Sequence, residues 1–487
     1  MNETISDIEE VVKTVLFRNA ALSDRISTLE AERLFLETKQ LSLETEKASL
    51  ELENASLEAE NKKLRAQLSR LVIPEKDSHN SSIPPAKESL KAQAVRRTNS
   101  LRTPTGRPSG GQTGHKGTTL LIRETADETK IQNPDYCTSC GKSLSEVSGK
   151  DVEIRQSIDI PLPVCPIVTN YVSIEKTCSC GKCNRGSFPS HVKPGVSYGV
   201  NLHALVAYLS TVQHIPFKRL TGILVDLYGI EISQGSVSNI LNRMRKQSIP
   251  GYEAIRQEIE KSTVTGADET GEHLNGELHW MWVFQNLLAT YIFQHPSRGK
   301  AAIDEHFPDG LKKSILVTDR HSSYFNMETE GHQICLAHLL RELIYLGELD
   351  KEQEWSKAML NLLYDSIQQR KTISFGEIDI GSIKERFYIL IMQDLSSLDK
   401  KFQSLQKSLN KHSQHLFQFL EHEDVPYENN ASERSIRPLK VKQKVSGMFK
   451  SDNGADAFCQ LYSIVDTARK NRQDPFRALI AVAENII

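Results

Sequence analysis

The chain has 487 residues, 25% of them charged and 38% hydrophobic, and a net charge of −2. Such a length holds two to four domains and at least one sizeable core, and the composition excludes a wholly disordered chain. Every apolar run falls short of the ~18–20 residues that cross a bilayer, and the opening MNETISDIEE has neither the basic nor the apolar stretch of a secretory signal. The expectation is a cytoplasmic protein with no membrane partner. Charge near neutrality gives no bulk attraction to nucleic acid, so a basic binding surface has to be local.

Residues 1–72 contain neither proline nor glycine, and leucine recurs at every seventh position: Leu22, Leu29, Leu36, Leu43, Leu50, Leu57, Leu64 and Leu71. A sustained seven-residue repeat predicts a left-handed coiled coil with these leucines at d. The a positions include Asn54 and Asn61, which trade stability for a defined register, so a homodimer or higher oligomer is expected. Glutamates crowd the flanking positions, as in Glu46 with Glu51 and Glu53 with Glu58. In a parallel homodimer those pairs repel, which leaves open a weak zipper, an antiparallel one or a basic partner. Residues 73–130 are rich in proline, glycine and serine and build no core. Between Lys87 and Lys116 seven basic residues meet one acidic residue, so this linker reads as a flexible basic arm that lies along phosphates.

Six of the eight cysteines fall within 47 residues, which in a cytosolic chain points to metal rather than disulfides. Residues 131–195 are accordingly expected to form a zinc ribbon. Cys137-x-x-Cys140-Gly is a knuckle whose glycine relieves the tight turn. The second half, Cys178-Ser-Cys180-Gly-Lys-Cys183, offers three thiolates where a tetrahedral structural Zn²⁺ needs two. Spacing favours Cys180 with Cys183, and Cys178 with Cys180 stays as the alternative. Residues 196–255 read as helices: Leu202–Gln213, Phe217–Tyr228 after Pro216, then Gly235–Gln247 capped by Ser233 after a turn at Gly229. Two helices joined by a glycine turn make a helix-turn-helix, with Arg243, Arg245 and Lys246 as candidate DNA contacts.

From residue 256 onward strands and helices mix. Thr263–Ala267 is predicted as a strand ending at Asp268, followed by strands His279–Gln285 and Ala289–Gln294 and a helix over Arg298–Phe307. Ser314–Thr318 is an apolar strand ending at Asp319, and His332–Cys335 a further strand before a helix through His338 and Arg341. Three strands, a helix and a fourth strand bearing an acid is a ribonuclease-H-like α/β order, in which carboxylates of the first and fourth strands sit side by side. Asn430 reads as a helix N-cap with Glu433 three residues on, so a capping box is the plain alternative role for Glu433. From Arg434 to Lys450 there are six basic residues and no acidic one, with Arg434, Arg437, Lys440, Lys442 and Lys444 as candidate DNA contacts. Acids beside such a tract suit a nuclease-like site in which carboxylates hold two Mg²⁺ (or Mn²⁺) ions. Cys335 and His338 are spaced like metal ligands, but no second pair lies near them, and they read as buried structural residues.

Taken together the chain resembles the transposases of the insertion sequence 66 family. The resemblance rests on Gly110-Gly-Gln-Thr-Gly-His115-Lys-Gly, Asp268-Glu-Thr-Gly271, Val317-Thr-Asp319 before Ser323-Tyr324, Cys335-Leu-Ala-His338-Leu-Leu-Arg341-Glu342, Asn429-Asn-Ala-Ser-Glu433-Arg and Lys440-Val-Lys-Gln-Lys-Val-Ser-Gly447. It implies a DDE recombinase that binds the terminal inverted repeats of its element and cuts and joins DNA strands, with Asp268, Asp319 and Glu433 as catalytic residues. It also implies a helical insertion at about residues 343–425, which suits the 114 residues separating Asp319 from Glu433. The catalytic domain is then 256–435, and 436–487 a basic helical C-terminal segment. Small accessory proteins encoded by the same element are implied as partners. The alternatives are a ribonuclease-H-like nuclease without strand transfer and an inactive zinc-ribbon DNA-binding protein.

Overall fold

The computed structural model describes residues 2–71, 76, 80–81, 124–132, 134–148, 154–158, 164–177, 179–180, 182–189, 192 and 197–485. Most of the predicted basic linker, the Gly110–Gly117 motif and Cys178 lie outside the described residues. The chain divides into two compact units, one of residues 1–76, 342–362 and 383–411, the other of 77–341, 363–382 and 412–487. No described helix is long and apolar enough to cross a membrane.

In the first unit, α1 (Asn2–Leu71) is a single unbroken helix, as the absence of proline and glycine predicts. Its seven-residue leucines from Leu22 to Leu64 lie open, from 48% exposed at Leu29 to 62% at Leu36. Two of the a positions are tied along the helix by four-residue pairs, Arg33 to Glu37 at 2.8 Å and Gln40 to Glu44 at 3.0 Å, each of the kind worth about 0.2–0.5 kcal/mol. In the helices between residues 342 and 411, Trp355 donates its indole N–H to Leu390 O at 2.9 Å and stands edge-on to Phe402.

The second unit begins with a short hairpin, β1 (Glu175–Thr177) and β2 (Cys183–Arg185). There follow α2 (Val200–Ala207), which ends in a π-helical turn at Tyr208–Val212, α3 (Phe217–Tyr228) and α4 (Gln234–Gln247). The predicted punctuation is observed: Pro216 precedes α3, Gly229 ends it at φ +62°, and Ser233 caps α4 by accepting from Ser236 N at 3.0 Å. After α5 (Ile249–Lys261) come β3 (Val264–Leu274), β4 (Glu277–Gln285) and β5 (Thr290–His295), then α6 (Lys300–His306), β6 (Leu311–Thr318) and β7 (Thr329–Ile334). These form one five-stranded mixed sheet of order β5-β4-β3-β6-β7, in which β3–β6 and β6–β7 are parallel.

The sheet separates two cores. Ala267, Trp282, Phe284, Phe293 and Leu316 face one side, with Ile303, Phe307 and the buried residues of α2 to α5. Met281, Val283 and Ile292 face the other. The helices of residues 200–259 therefore share a core with the sheet. The chain continues with α7 (Leu336–Leu349), α8 (Trp355–Thr372), α9 (Ile380–Ile391) and α10 (Lys400–Lys411), whose residues 342–362 and 383–411 belong to the first unit, and a short α11 (Gln418–Glu421) in the second. Within α8, Trp355, Leu362 and Leu363 are buried but Tyr364 is exposed. Finally α12 (Asn430–Ser446) and α13 (Asp452–Lys470) cover the Met281 face, and α14 (Pro475–Glu484) joins the other core through Leu479 and Val482. Lys470 anchors α13 by donating to Gln285 Oε1, Asn286 O and Ala289 O.

Candidate active site

Strand β3 does not end at Asp268, as the sequence suggests, but runs six residues further to Leu274. The cause is a tight hairpin at Asn275-Gly276, both at positive φ, which carries the β3–β4 ladder to Leu274↔Glu277. Asp268 thus sits in mid-strand opposite Val283, on the face that α12 covers. On the other side β3 pairs in parallel with β6 as far as Gly266↔Val317. Two residues beyond each partner of that pair come Asp268 and Asp319, so the register brings their backbones level at adjacent positions. Asp268 Oδ1 accepts from Glu269 N at 2.9 Å, and Asp319 Oδ1 from His321 N at 2.8 Å.

The third carboxylate is brought in by the start of α12. Its cap residue is Asn429, not Asn430, and the Asn429 side chain makes no capping bond. It is used across the sheet instead. Asn429 Nδ2 donates to Ala267 O at 2.6 Å, and Ser432 Oγ donates to Asn429 Oδ1 at 2.6 Å. Gly266 permits this approach: a Cβ there would stand 2.5 Å from Ser432 Oγ and 2.8 Å from Asn429 Oδ1. Neither contact of Gly266 and Asn429 has a local signature in the sequence. With Asn429 as cap, Glu433 is one residue too far along for a capping box, and its Oε1 is buried without a hydrogen-bond partner.

Burial pushes the Asp268 carboxyl well above the usual range, and the charges of Glu269, Asp319 and Glu433 push it the same way. The implied divalent ions can be tested against this arrangement. Like-charged carboxylates converge on Asp268, and a buried Glu433 oxygen lacks a partner. Hard oxygen donors of this kind suit Mg²⁺ or Mn²⁺, and a cation would relieve the repulsion, so the residues fit. As the side chains stand, no group of three or more His, Cys, Asp or Glu among the described residues is placed to hold one ion. A shared ion would therefore require these side chains to re-orient.

The neighbouring Glu269 points to the opposite face. It pairs with Arg298 at 2.7 Å and accepts from the buried Tyr324 hydroxyl, while Arg298 stacks over Trp280. These contacts give Glu269 and Tyr324, two residues of the resemblance motifs, a structural place beneath Asp268. Glu272 lies on the Asp268 face and is 1% exposed, with Oε1 unpartnered. Burial raises its carboxyl to about 7, and Lys440 opposes the shift. The folded carboxyl keeps its proton to about 7 while the ordinary value is 4.5, so its stabilising contribution is full below 4.5 and is lost as pH rises through that window. Glu272→Gln should therefore match the parent near pH 4 and exceed its stability at pH 8 by about 1–3 kcal/mol, as read by urea titration.

Of the candidate DNA contacts on α12, Arg434, Arg437 and Lys444 are exposed and Lys440 is half-buried. Lys442 departs from the expectation of a DNA contact. It is 8% exposed, burial pulls its amine down to about 8, and it is closed to phosphate. It continues the buried stripe of Ser432, Ser435, Ile436 and Leu439. On α4, Arg243 and Lys246 are exposed, whereas Arg245 is half-buried and donates to Asn242 Oδ1 at 3.2 Å. Around the first cysteine pair, Gly141 N donates to Cys137 O at 2.9 Å, with Gly141 at φ +72°, and Cys137 N donates to Lys142 O at 2.8 Å. Cys183 lies at the start of β2, 3.4 Å from Thr177 Oγ1. The structure does not bring Cys137, Cys140, Cys180 and Cys183 together as a ligand set among the described residues.

No curated protein matches the chain. Residues 195–457 match the family described as Transposase IS66 family. That match takes in β3, β6 and the start of α12, the elements that carry Asp268, Asp319 and Glu433, and spans more than half of the chain. The chain belongs to the IS66 transposase family.

Proposed function

We propose that this transposase cuts and joins DNA strands at the ends of its element, with Asp268, Asp319 and Glu433 as the catalytic carboxylates of a ribonuclease-H-like core. The observation that carries the reading is the parallel β3–β6 register, which sets Asp268 level with Asp319, together with the Asn429 bond to Ala267 O, which seats the start of α12 and with it Glu433 against β3, beside the exposed Arg434, Arg437 and Lys444. Mg²⁺ or Mn²⁺ bound by the three carboxylates would stabilise the attacking and leaving oxygens of an in-line displacement. Asn429, Ser432 and Gly266 hold Glu433 against β3. The basic side chains, with Arg243 and Lys246 of α4, hold the backbone of the inverted repeats. Water breaks a phosphodiester bond and leaves a 3′-hydroxyl; that hydroxyl then attacks a target phosphodiester, forming the new link and expelling a target 3′-hydroxyl. A strand-transfer assay with a labelled 3′-hydroxyl end tests this. Joining to target DNA is the expected product; cleavage without joining would support a nuclease instead, and neither would support a binding protein.

Residues 131–195 are proposed to form a structural zinc ribbon through Cys137 and Cys140 with Cys180 and Cys183, or with Cys178 and Cys180. A closed four-thiolate site leaves no position for water. Cys137→Ser should release about one zinc ion per chain. Elemental analysis that finds no zinc in the purified parent chain sinks the proposal.

The open leucine stripe of α1 is proposed to bury itself against a second copy of the chain, residues 1–72 serving as a coiled coil. Deleting them should lower the sedimenting mass in analytical ultracentrifugation. An unchanged mass distribution would favour a solvated single helix. The cytoplasm as the place of action and accessory proteins of the same element as partners belong to the same proposal.

A further inference from the structure

We infer that His338 is a positioning residue for Glu433, its Nε2 fixing which carboxylate oxygen turns toward Asp268 and Asp319. The inference rests on the reading of Glu433 as a metal-holding carboxylate. His338 was expected to be a buried structural residue, yet its Nε2 stands 3.9 Å from Glu433 Oε1. That Oε1 is buried with no hydrogen-bond partner, as is His338 Nδ1. The gap exceeds hydrogen-bonding distance by about 1 Å, which a small side-chain rotation closes.

The pairing is built into the chain path. Leu336 N donates to Tyr427 O at 2.8 Å, and Asn429 N donates to the buried Cys335 Sγ at 3.1 Å. The segment entering α12 is thereby tied to the first turn of α7. His338 is the third residue after Cys335 and Glu433 the fourth after Asn429, so each lies one helical turn in from the tie and the two face each other. Cys335 and His338 thus keep their three-residue spacing for a shared purpose, one holding the backbone before α12 and the other its first carboxylate. With Nε2 donating to Oε1, Oε2 is left free for the cation, in the way that outer partners orient metal-binding carboxylates.

The test uses the full chain and Mn²⁺ alone, by isothermal titration calorimetry, with thermal melts by circular dichroism to confirm folding. His338→Ala should weaken Mn²⁺ binding about 10-fold or more. His338→Gln, whose amide reaches the place of Nε2, should stay within about 3-fold of the parent, and His338→Asn, whose amide falls at Nδ1, should not. If His338→Ala does not fold, the glutamine and asparagine variants decide. Parent-like Mn²⁺ binding by His338→Ala or His338→Asn overturns the proposal, as do equal losses in the glutamine and asparagine variants. Glu433→Gln is the separate control. If it binds Mn²⁺ as the parent does, the carboxylate reading itself fails, whatever the His338 variants show.

Discussion

Glu433→Gln is expected to fold, bind element-end DNA and lose Mg²⁺-dependent cleavage by on the order of 10³-fold, roughly 4 kcal/mol of barrier. Glutamine keeps the volume and one oxygen of the side chain but is a poor ligand for a hard cation. Folding should survive because the start of α12 is held by Asn429 and Ser432 and not by the Glu433 carboxylate. Were Glu433 only a helix-capping residue, its loss would cost about 0.5–2 kcal/mol of stability and leave the chemistry intact. Single-turnover cleavage and a thermal melt of the same preparation separate the two roles. Cleavage near the parent rate would mean that another acid completes the site.

Asp268→Asn should lose cleavage to a similar extent and yet gain stability. Burial and three neighbouring acids disfavour the ionised Asp268 carboxylate, so a neutral amide removes a standing cost of about 1 kcal/mol. The bond from Glu269 N survives, because the asparagine Oδ1 can still accept it. In the metal-free protein the variant should melt a few degrees higher than the parent at pH 8, with the gain shrinking as Mg²⁺ stabilises the parent. A variant that is less stable at every Mg²⁺ concentration would show that the carboxylate is held by contacts other than these.

Much of this architecture was legible because it is written locally. Pro216, Gly229 and Ser233 mark the ends of α3 and α4, and the proline-free leucine repeat marks α1. The apolar runs before Asp268 and Asp319 mark the two strands. The full extent of β3 is marked by Asn275-Gly276, a strong hairpin signal, and not by the apolar run that stops at Asp268. Lys442 is buried, and the spacing of Ser432, Ser435, Ile436 and Leu439 already puts it on the inner face of α12. The contacts that seat Glu433 were not legible at all. Asn429 reaches Ala267 across 162 residues, Cys335 reaches Asn429 across 94, and His338 meets Glu433 only because two chain segments cross there. Local pattern carries no record of such distant partners, and the resemblance motifs mark the residues without assigning the contacts.

The most direct test of the central claim is a crystal structure soaked in Mn²⁺, read by its anomalous difference density. The account predicts an ion shared by Asp268 and Asp319, with Glu433 turned inward to the same site and His338 against its far oxygen. Density bound by other acids, or none at a concentration that supports cleavage, would contradict it.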